Sequence, residues 1–349
     1  MPFEHQRDDS FIWWIENKFI HLQQQNPLAS RRSAGGSLLF KTAMNSKPRT
    51  IEQQINILKS RGMKFSDEEN AKEQLARTSY FRLKYYWKDL IEDNETGEFV
   101  EGTDFNSVIR RHEFDHILRH TIFEAVGVFE VALRAKIIYH LSQVTNNGLW
   151  YLDANLFENH GFHEEFVLDL KYEFQRSTEP FVKEFLNNNP DWDVYSMEGP
   201  NPEAWMIIEV ATFGTLSKMY KNLKSQLPAR ASIANDFGLY SAKELTNWIE
   251  TISLIRNVVA HHGRLWNRAF GKMVMDLRTH RNPWLSSPLT DNQRRKPYGV
   301  IAALAYLCKS VKPDCQVAAN IRKLMEEYSD LPIHQIGFAR NWEKEPLWR

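Results

Sequence analysis

At 349 residues the chain is long enough for one large domain or two moderate ones, and its 42% hydrophobic and 13% aromatic content excludes a disordered protein. Acidic and basic residues balance at 44 each, so a polyanion has to be held by a local patch rather than by the overall charge. Cys308 and Cys315 fit a reduced interior better than a disulfide framework. No secretory signal is visible, and the longest apolar run, 299–308, is about half as long as a membrane span, so we expect a cytoplasmic protein with no membrane contact.

Residues 1–43 differ from the rest of the chain. A short apolar patch is followed at 23–36 by polar, turn-forming residues, QQQNPLASRRSAGG. Such a segment buries little apolar surface. We therefore predict a flexible or appended extension at 1–43, outside a folded domain that spans 44–349.

Helical periodicity dominates from Thr50 onward, whereas strand-type alternation is nowhere sustained, so the predicted fold class is all-α. The spacing of Ile51, Ile55 and Leu58 predicts a helix that stops at Arg61–Gly62. A second helix is expected to begin at Ser66 or Asp67. A long helix is predicted over 105–141, with an apolar stripe formed by Val108, Phe114, Leu118, Ile122, Val126, Phe129 and Leu133.

Four regions follow from these patterns and from the turn formers between them. Pro202 is expected to open one helix that runs to Leu223, and Ser241 with Glu244 forms a capping-box pattern for the next helix. Two more helices are predicted near 297–310 and 314–328. The regions are N-terminal helices at 47–145, a loop-rich insertion at 146–201, motif-bearing helices at 202–282 and C-terminal helices at 283–349.

The most informative stretch is RNVVAHHGRLWNR, residues 256–268, at the end of the helix that Ser241 opens. An imidazole moves protons and a guanidinium stabilises the charge of a phosphodiester transition state, which together allow cleavage without a metal ion. We predict Arg256 and His261 as catalytic residues, with Asn257 positioning the phosphate. Gly263 is the expected helix stop. No cofactor and no metal site are predicted.

Three neighbours of the motif are candidate RNA contacts: His262, Arg264 and Arg268. Glu209, on the helix predicted from Pro202, is a candidate for orienting an active-site cation. Each of these residues also has an ordinary structural explanation, such as helix-end packing, a solvated basic face or a simple ion pair.

Two other pairs match the spacing by chance: Arg111 with His116 has the same separation as Arg256 with His261, and Arg134 with His140 is one residue longer. We interpret the Arg134–His140 pair as structural. The aromatic-rich segment at 80–87 has two explanations. Its rings can stack on bases, but at this density they are more often part of a core. They are Tyr80, Phe81, Tyr85, Tyr86 and Trp87.

Five ordered segments resemble the Abi-like abortive-infection phage-resistance proteins of the AbiD and AbiF type, which are grouped with the HEPN superfamily. They are KPRTIEQQINILKSRGMKF, TSYFRLKYYW, FDHILRHTIFEAVGVFEVALRAKI, WMIIEVATFGTLSKMYKNL and IRNVVAHHGRLWNR, and they span roughly 47–282. The resemblance implies an α-helical HEPN-like bundle in which Arg256 and His261 form a metal-independent RNase site, commonly paired across a homodimer.

The expected function is a metal-independent endoribonuclease that acts as a toxin-like effector in phage defence. The alternative is a non-catalytic RNA-binding or interaction module with the same fold. The resemblance also implies a possible small non-coding RNA as partner, because some Abi-like relatives are associated with one.

Overall fold

The structure is a computed structural model that describes residues 48–349, of which residues 56–349 form one compact unit. These described residues contain thirteen α-helices and no β-sheet, with only three isolated bridges between extended residues. The all-α prediction is therefore confirmed. The predicted extension at 1–43 lies outside the described residues.

The helix boundaries follow local capping signals. Asp67 caps the second helix by accepting a hydrogen bond from the backbone N–H of Asn70, as its residue type predicts. Gly62, with φ of +89°, makes the turn after the first helix. In chain order the helices are α1 Ile51–Ser60, α2 Glu68–Thr78, α3 Tyr80–Trp87, α4 Phe105–Thr145, α5 His160–Gln175, α6 Pro180–Asn188, α7 Ala204–Ile207, α8 Phe213–Asn222, α9 Pro228–Asp236, α10 Ala242–Ala260, α11 Asp291–Arg295, α12 Pro297–Val311 and α13 Val317–Glu327.

Helix α4 is the centre of the fold. Its 41 residues span roughly 60 Å at 1.5 Å per residue, and α3, α9, α10, α12 and α13 all pack against it. Every residue of the predicted apolar stripe is buried. The helix continues past the predicted end to Thr145, where Asn146 adopts a left-handed conformation with φ of 48°. The prediction of this helix is confirmed.

The single helix predicted from Pro202 to Leu223 is wrong, because the structure has α7 and α8 with a turn between them. Thr212 starts α8 by accepting a hydrogen bond from the backbone N–H of Thr215. The carboxylate of Glu173, on α5, accepts hydrogen bonds from both the backbone N–H and the hydroxyl of Thr212. A carboxylate from a neighbouring helix thus stabilises a helix start that periodicity alone does not reveal.

The remaining predicted helices are present, with shifted ends. The insertion contains turns and 3₁₀ segments but also the 16-residue helix α5. Helix α12 agrees with the predicted 297–310, whereas α13 begins at Val317 rather than at 314. Ser241 caps α10 through the N–H of Lys243, one residue earlier than a capping box requires. No helix within 48–349 is long and apolar enough to cross a bilayer.

Candidate functional site

The predicted catalytic residues lie at the C-terminal end of α10. Trp248, Ile252 and Ile255 face the core and are fully buried. The opposite face leaves Arg256 partly exposed and the side chains of Asn257 and His261 exposed. The guanidinium of Arg256 donates to the Asn257 carboxamide oxygen at 3.3 Å, and no hydrogen bond joins Arg256 to His261 within the described structure.

The end of α10 is closed by a hydrogen-bond pattern of the Schellman type. The N–H of His262 donates to the carbonyl of Val259 at 3.1 Å, and that of Gly263 to the carbonyl of Val258 at 2.7 Å. The left-handed position of this pattern, which most proteins fill with glycine, is His262, with φ of 53°. The prediction that Gly263 stops the helix is therefore wrong by one residue. A Cβ at Gly263 would lie 3.0 Å from the carbonyl oxygen of Val258, so close packing explains this glycine.

His262 lines a cleft of about 690 Å³ whose other walls are α2, α3 and α4. Arg82 of α3 donates to the carbonyl oxygen of His262 at 2.6 Å and holds the helix end against this cleft. Arg256 and His261 are not among the residues that line it. The lining includes six nitrogen-bearing side chains that bind anions or move protons: Arg77, Arg82, His112, His116, Arg119 and His262.

The histidines of α4 were missed as site residues, although a local signal was present. His112, His116 and His120 recur every four residues and therefore lie on one helix face. His116 belongs to the pair Arg111–His116, which has the spacing of the motif. Arg111 is indeed buried, where it donates to the carbonyl of Tyr86 at 2.9 Å and to Asp89, but His116 is exposed in the cleft.

The cleft favours neutral imidazoles on α4. Burial, with Arg82 and Arg119 next in importance, lowers the pKa of His112 to about 4. Burial also lowers the pKa of His116, and the neighbouring His120 and Arg119 act in the same direction. A neutral imidazole offers one donor and one acceptor nitrogen, so both side chains can form hydrogen bonds in the cleft without carrying a charge.

Asp115 fixes the segment that follows the motif. Its buried carboxylate accepts hydrogen bonds from the backbone N–H groups of Leu265 and Trp266, at 2.9 and 2.6 Å. The same group accepts from the hydroxyl of Tyr86 and pairs with the guanidinium of Arg119. Burial raises the pKa of Asp115, whereas Arg119 and these hydrogen bonds act in the opposite direction. One carboxylate thus connects α3, α4 and the chain after α10.

Arg264 and Arg268 lie apart from His262, in a different part of the surface. Arg264 stacks over the ring of Tyr85 at 5.1 Å and lines a second pocket of about 360 Å³. Arg268 donates to the backbone carbonyl of Arg264 at 2.5 Å. The structure therefore separates the three predicted RNA contacts: His262 lies in the cleft, Arg264 lines the second pocket, and Arg268 is hydrogen-bonded to Arg264.

Two further predicted residues have clear locations. Glu209 is exposed in the turn between α7 and α8, and it makes no hydrogen bond or ion pair with the described residues. Arg134 pairs with Glu130 and donates to the carbonyl of Ala211, which agrees with the structural interpretation of the Arg134–His140 pair. Across 48–349 no three histidine, cysteine, aspartate or glutamate side chains are grouped as metal ligands.

Fold and site together define an all-α protein whose motif-bearing helix ends beside a cleft lined by histidine and arginine. A family model described as Abi-like protein matches residues 73–267, which is more than half of the chain. The match includes every residue that lines the cleft except Tyr328. The chain belongs to this family of Abi-like proteins, which indicates a role in abortive infection, a bacterial defence against phage. No curated protein and no solved structure matched the chain.

Proposed function

We propose that this Abi-like protein is a metal-independent endoribonuclease of the HEPN type, a toxin-like effector that cleaves RNA in the cytoplasm during phage infection. The observation that carries the proposal is the solvent-accessible Arg256, Asn257 and His261 at one helix end, with further imidazole and guanidinium groups in the adjacent cleft. Phosphodiester cleavage uses these groups for proton transfer and charge stabilisation.

In the proposed reaction the ribose 2′-hydroxyl loses its proton to a base and attacks the adjacent phosphorus, while the bond to the 5′-oxygen breaks and that oxygen takes up a proton from an acid. The products are a 2′,3′-cyclic phosphate and a 5′-hydroxyl. His261 transfers a proton, Arg256 stabilises the added negative charge on the phosphoryl oxygens, and Asn257 positions the phosphate. Glu209 is proposed to support a cation of the site when RNA is bound.

The defining experiment is cleavage of single-stranded RNA by the purified protein in the presence of EDTA, with DNA of the same sequence as control. We expect RNA to be cleaved and DNA to resist, because DNA lacks the nucleophilic hydroxyl. Cleavage that EDTA abolishes and magnesium restores would refute this mechanism. RNA binding without any cleavage would favour the alternative, a non-catalytic RNA-binding module.

The roles of the two principal residues are separable by substitution. His261→Ala is expected to slow cleavage about 10²-fold to 10⁴-fold, the usual contribution of a general acid or base. Arg256→Ala is expected to cost about 10²-fold to 10³-fold. His334→Ala and Arg340→Ala are matched controls, since both side chains are exposed and make no hydrogen bond or ion pair with the described residues. Full activity of a folded His261→Ala or Arg256→Ala protein would remove that residue from the mechanism.

We further propose that the active species is a homodimer in which two copies of the motif face each other, with RNA between them and a small non-coding RNA as a regulatory partner. A two-fold axis doubles the proton-transfer groups and concentrates positive charge that the neutral chain lacks overall. Mixing Arg256→Ala with His261→Ala protein tests this arrangement. We expect the mixture to recover part of the wild-type cleavage activity. A wild-type protein that light scattering shows to be monomeric and that still cleaves RNA at full rate would contradict the dimer.

A further inference from the structure

We infer that the pocket formed by Tyr85, Lys88, Arg264 and Asn267 is a nucleotide-binding subsite for single-stranded RNA. Arg264 and Lys88 bind a phosphate there, while the exposed rings of Tyr85 and Phe81 stack on bases. The identity of the ligand as RNA rests on the proposed function, but the subsite itself is tested by binding and not by cleavage.

The first argument is an unsatisfied cation. Arg264 is half-buried, and burial together with the neighbouring Arg268 lowers its pKa. None of its guanidinium N–H groups donates to a residue within the described chain, and the guanidinium stacks on the ring of Tyr85. Partly buried arginines are normally paired, because desolvating an unpaired charge is costly. The missing acceptor is therefore expected from a ligand, and a phosphate matches the guanidinium fork.

The second argument is the local charge balance. Lys88 is exposed and makes no ion pair with the described residues. The acidic residue of the pocket, Asp89, already accepts two hydrogen bonds from Arg111, at 3.0 and 3.2 Å, so its charge is compensated. Lys296, which donates to Asn267 at 2.7 Å, adds a third cation. The pocket is consequently positive within a chain of zero net charge, which fits a local binding site for a polyanion.

The third argument is the aromatic face of α3. Tyr86 and Trp87 belong to the core, but the side chains of Phe81 and Tyr85 are 69% and 41% exposed. They lie one helical turn apart with ring centroids 5.7 Å from each other. Exposed rings beside a basic groove are the usual platform for unpaired bases. This combination favours single-stranded RNA over a duplex, whose bases are already stacked on one another.

The location relates the subsite to the motif. Arg264 follows His261 by three residues. Arg82, which lies between Phe81 and Tyr85 in the sequence of α3, donates to the carbonyl oxygen of His262. The volume of about 360 Å³ falls in the range of small-ligand sites. Because three residues span at most about 11 Å, an RNA strand bound at the subsite can extend to the motif, and the subsite would then contribute to the choice of cleavage position.

The test is fluorescence anisotropy of the full chain with a labelled 2′-O-methyl RNA of about 12 nucleotides, a length typical of single-strand sites. This probe lacks the nucleophilic hydroxyl and is not cleaved. Tyr85→Ala and Arg264→Ala are each expected to weaken binding about 10-fold, and Tyr85→Phe less than about 2-fold because the ring remains. Arg264→Ala should also reduce the dependence of log affinity on log salt by about one unit.

The chain offers a matched control, Tyr240 with Arg281. Their cation–ring distance is 4.7 Å, but the Arg281 guanidinium already donates to Asn235, at 2.8 Å. Tyr240→Ala and Arg281→Ala are expected to bind the probe like the wild-type protein. If Arg264→Ala does not fold, Lys88→Ala replaces it, since that side chain is exposed and has no ion-pair partner among residues 48–349.

Two outcomes overturn the inference: a wild-type protein that does not bind the probe, and Tyr85 and Arg264 variants that bind it as well as the wild type. These outcomes differ from failure of the proposed function. If the protein binds the probe through Tyr85 and Arg264 but cleaves no RNA, the proposed subsite stands and the proposed nuclease function is refuted. If the wild-type protein cleaves RNA but the Tyr85 and Arg264 variants bind the probe as tightly as the wild type, the proposed nuclease function stands and the proposed subsite is refuted.

Discussion

Replacing Asp115 with asparagine probes the group that fixes the chain after the motif. The carboxylate is fully buried, pairs with Arg119 and accepts hydrogen bonds from Tyr86, Leu265 and Trp266. In Asp115→Asn one amide oxygen still accepts from the two backbone groups. The amide nitrogen, however, is a donor that faces the other donors, Tyr86 and Arg119.

The expected loss of stability is about 3–5 kcal/mol, the usual cost of leaving one partner of a buried ion pair uncompensated. For a protein of this size such a loss lowers the midpoint of thermal unfolding by on the order of 10 °C. Urea unfolding followed by circular dichroism at pH 7 measures the free energy directly.

Two variants test the reasoning further. Asp330→Asn breaks the exposed pair of Arg110 and Asp330 and should cost at most about 1 kcal/mol. Adding Arg119→Met to Asp115→Asn should recover part of the loss, since no buried charge then remains unpaired. The reasoning would be refuted by an Asp115→Asn protein within about 1 kcal/mol of the wild type, or by a double variant less stable than Asp115→Asn alone.

Three more predictions concern single groups. The pKa of His112 is about 6.5 in the unfolded chain and about 4 in the folded protein. Between these pH values the unfolded chain binds more protons, so the free energy of unfolding falls as the pH drops from about 6.5 to 4. Urea unfolding should show a smaller fall for His112→Gln, and an equal fall would contradict this assignment. His262→Gly should raise the free energy of unfolding by about 1 kcal/mol, because glycine tolerates φ of 53° better than histidine does. Asn146→Gly is the control and should gain less, since asparagine already tolerates a left-handed backbone. A lower thermal-unfolding midpoint for His262→Gly would argue against strain at His262. Burial raises the pKa of Glu244, whose Oε2 has no hydrogen-bond partner among the described residues, so the ionised group destabilises the fold as the pH rises above the ordinary carboxyl range. Glu244→Gln should therefore be more stable than the wild type at pH 7, and equal or lower stability in urea would show that the carboxylate is satisfied.

The interpretation of the aromatic segment on α3 shows where sequence reasoning reaches its limit. Tyr85 and Tyr86 are adjacent in a segment dense in rings, yet one is 41% exposed and the other fully buried. Periodicity shows that they point in different directions around the helix, but not which direction faces α4. The prediction that such rings belong to the core is thus correct for Tyr86 and Trp87 and wrong for Phe81 and Tyr85.

The amino-acid sequence by itself determined the fold class, the central helix α4 and the position of the motif at the end of α10. These features depend on interactions within a few residues, namely helical periodicity, capping side chains and turn formers. The sequence also carried the family resemblance through five ordered segments. It did not reveal the break between α7 and α8, which depends on Glu173 from another helix.

Only the tertiary structure decided which residues surround the motif. Asp115 and Leu265 lie 150 positions apart, and Arg82 and His262 lie 180 apart, yet each pair is joined by a hydrogen bond. The packing of α3 and α10 against α4 creates these contacts, and no local pattern encodes them. The same packing placed His262 in the cleft and Arg264 beside Tyr85, because the left-handed turn at the end of α10 directs successive side chains to different surfaces.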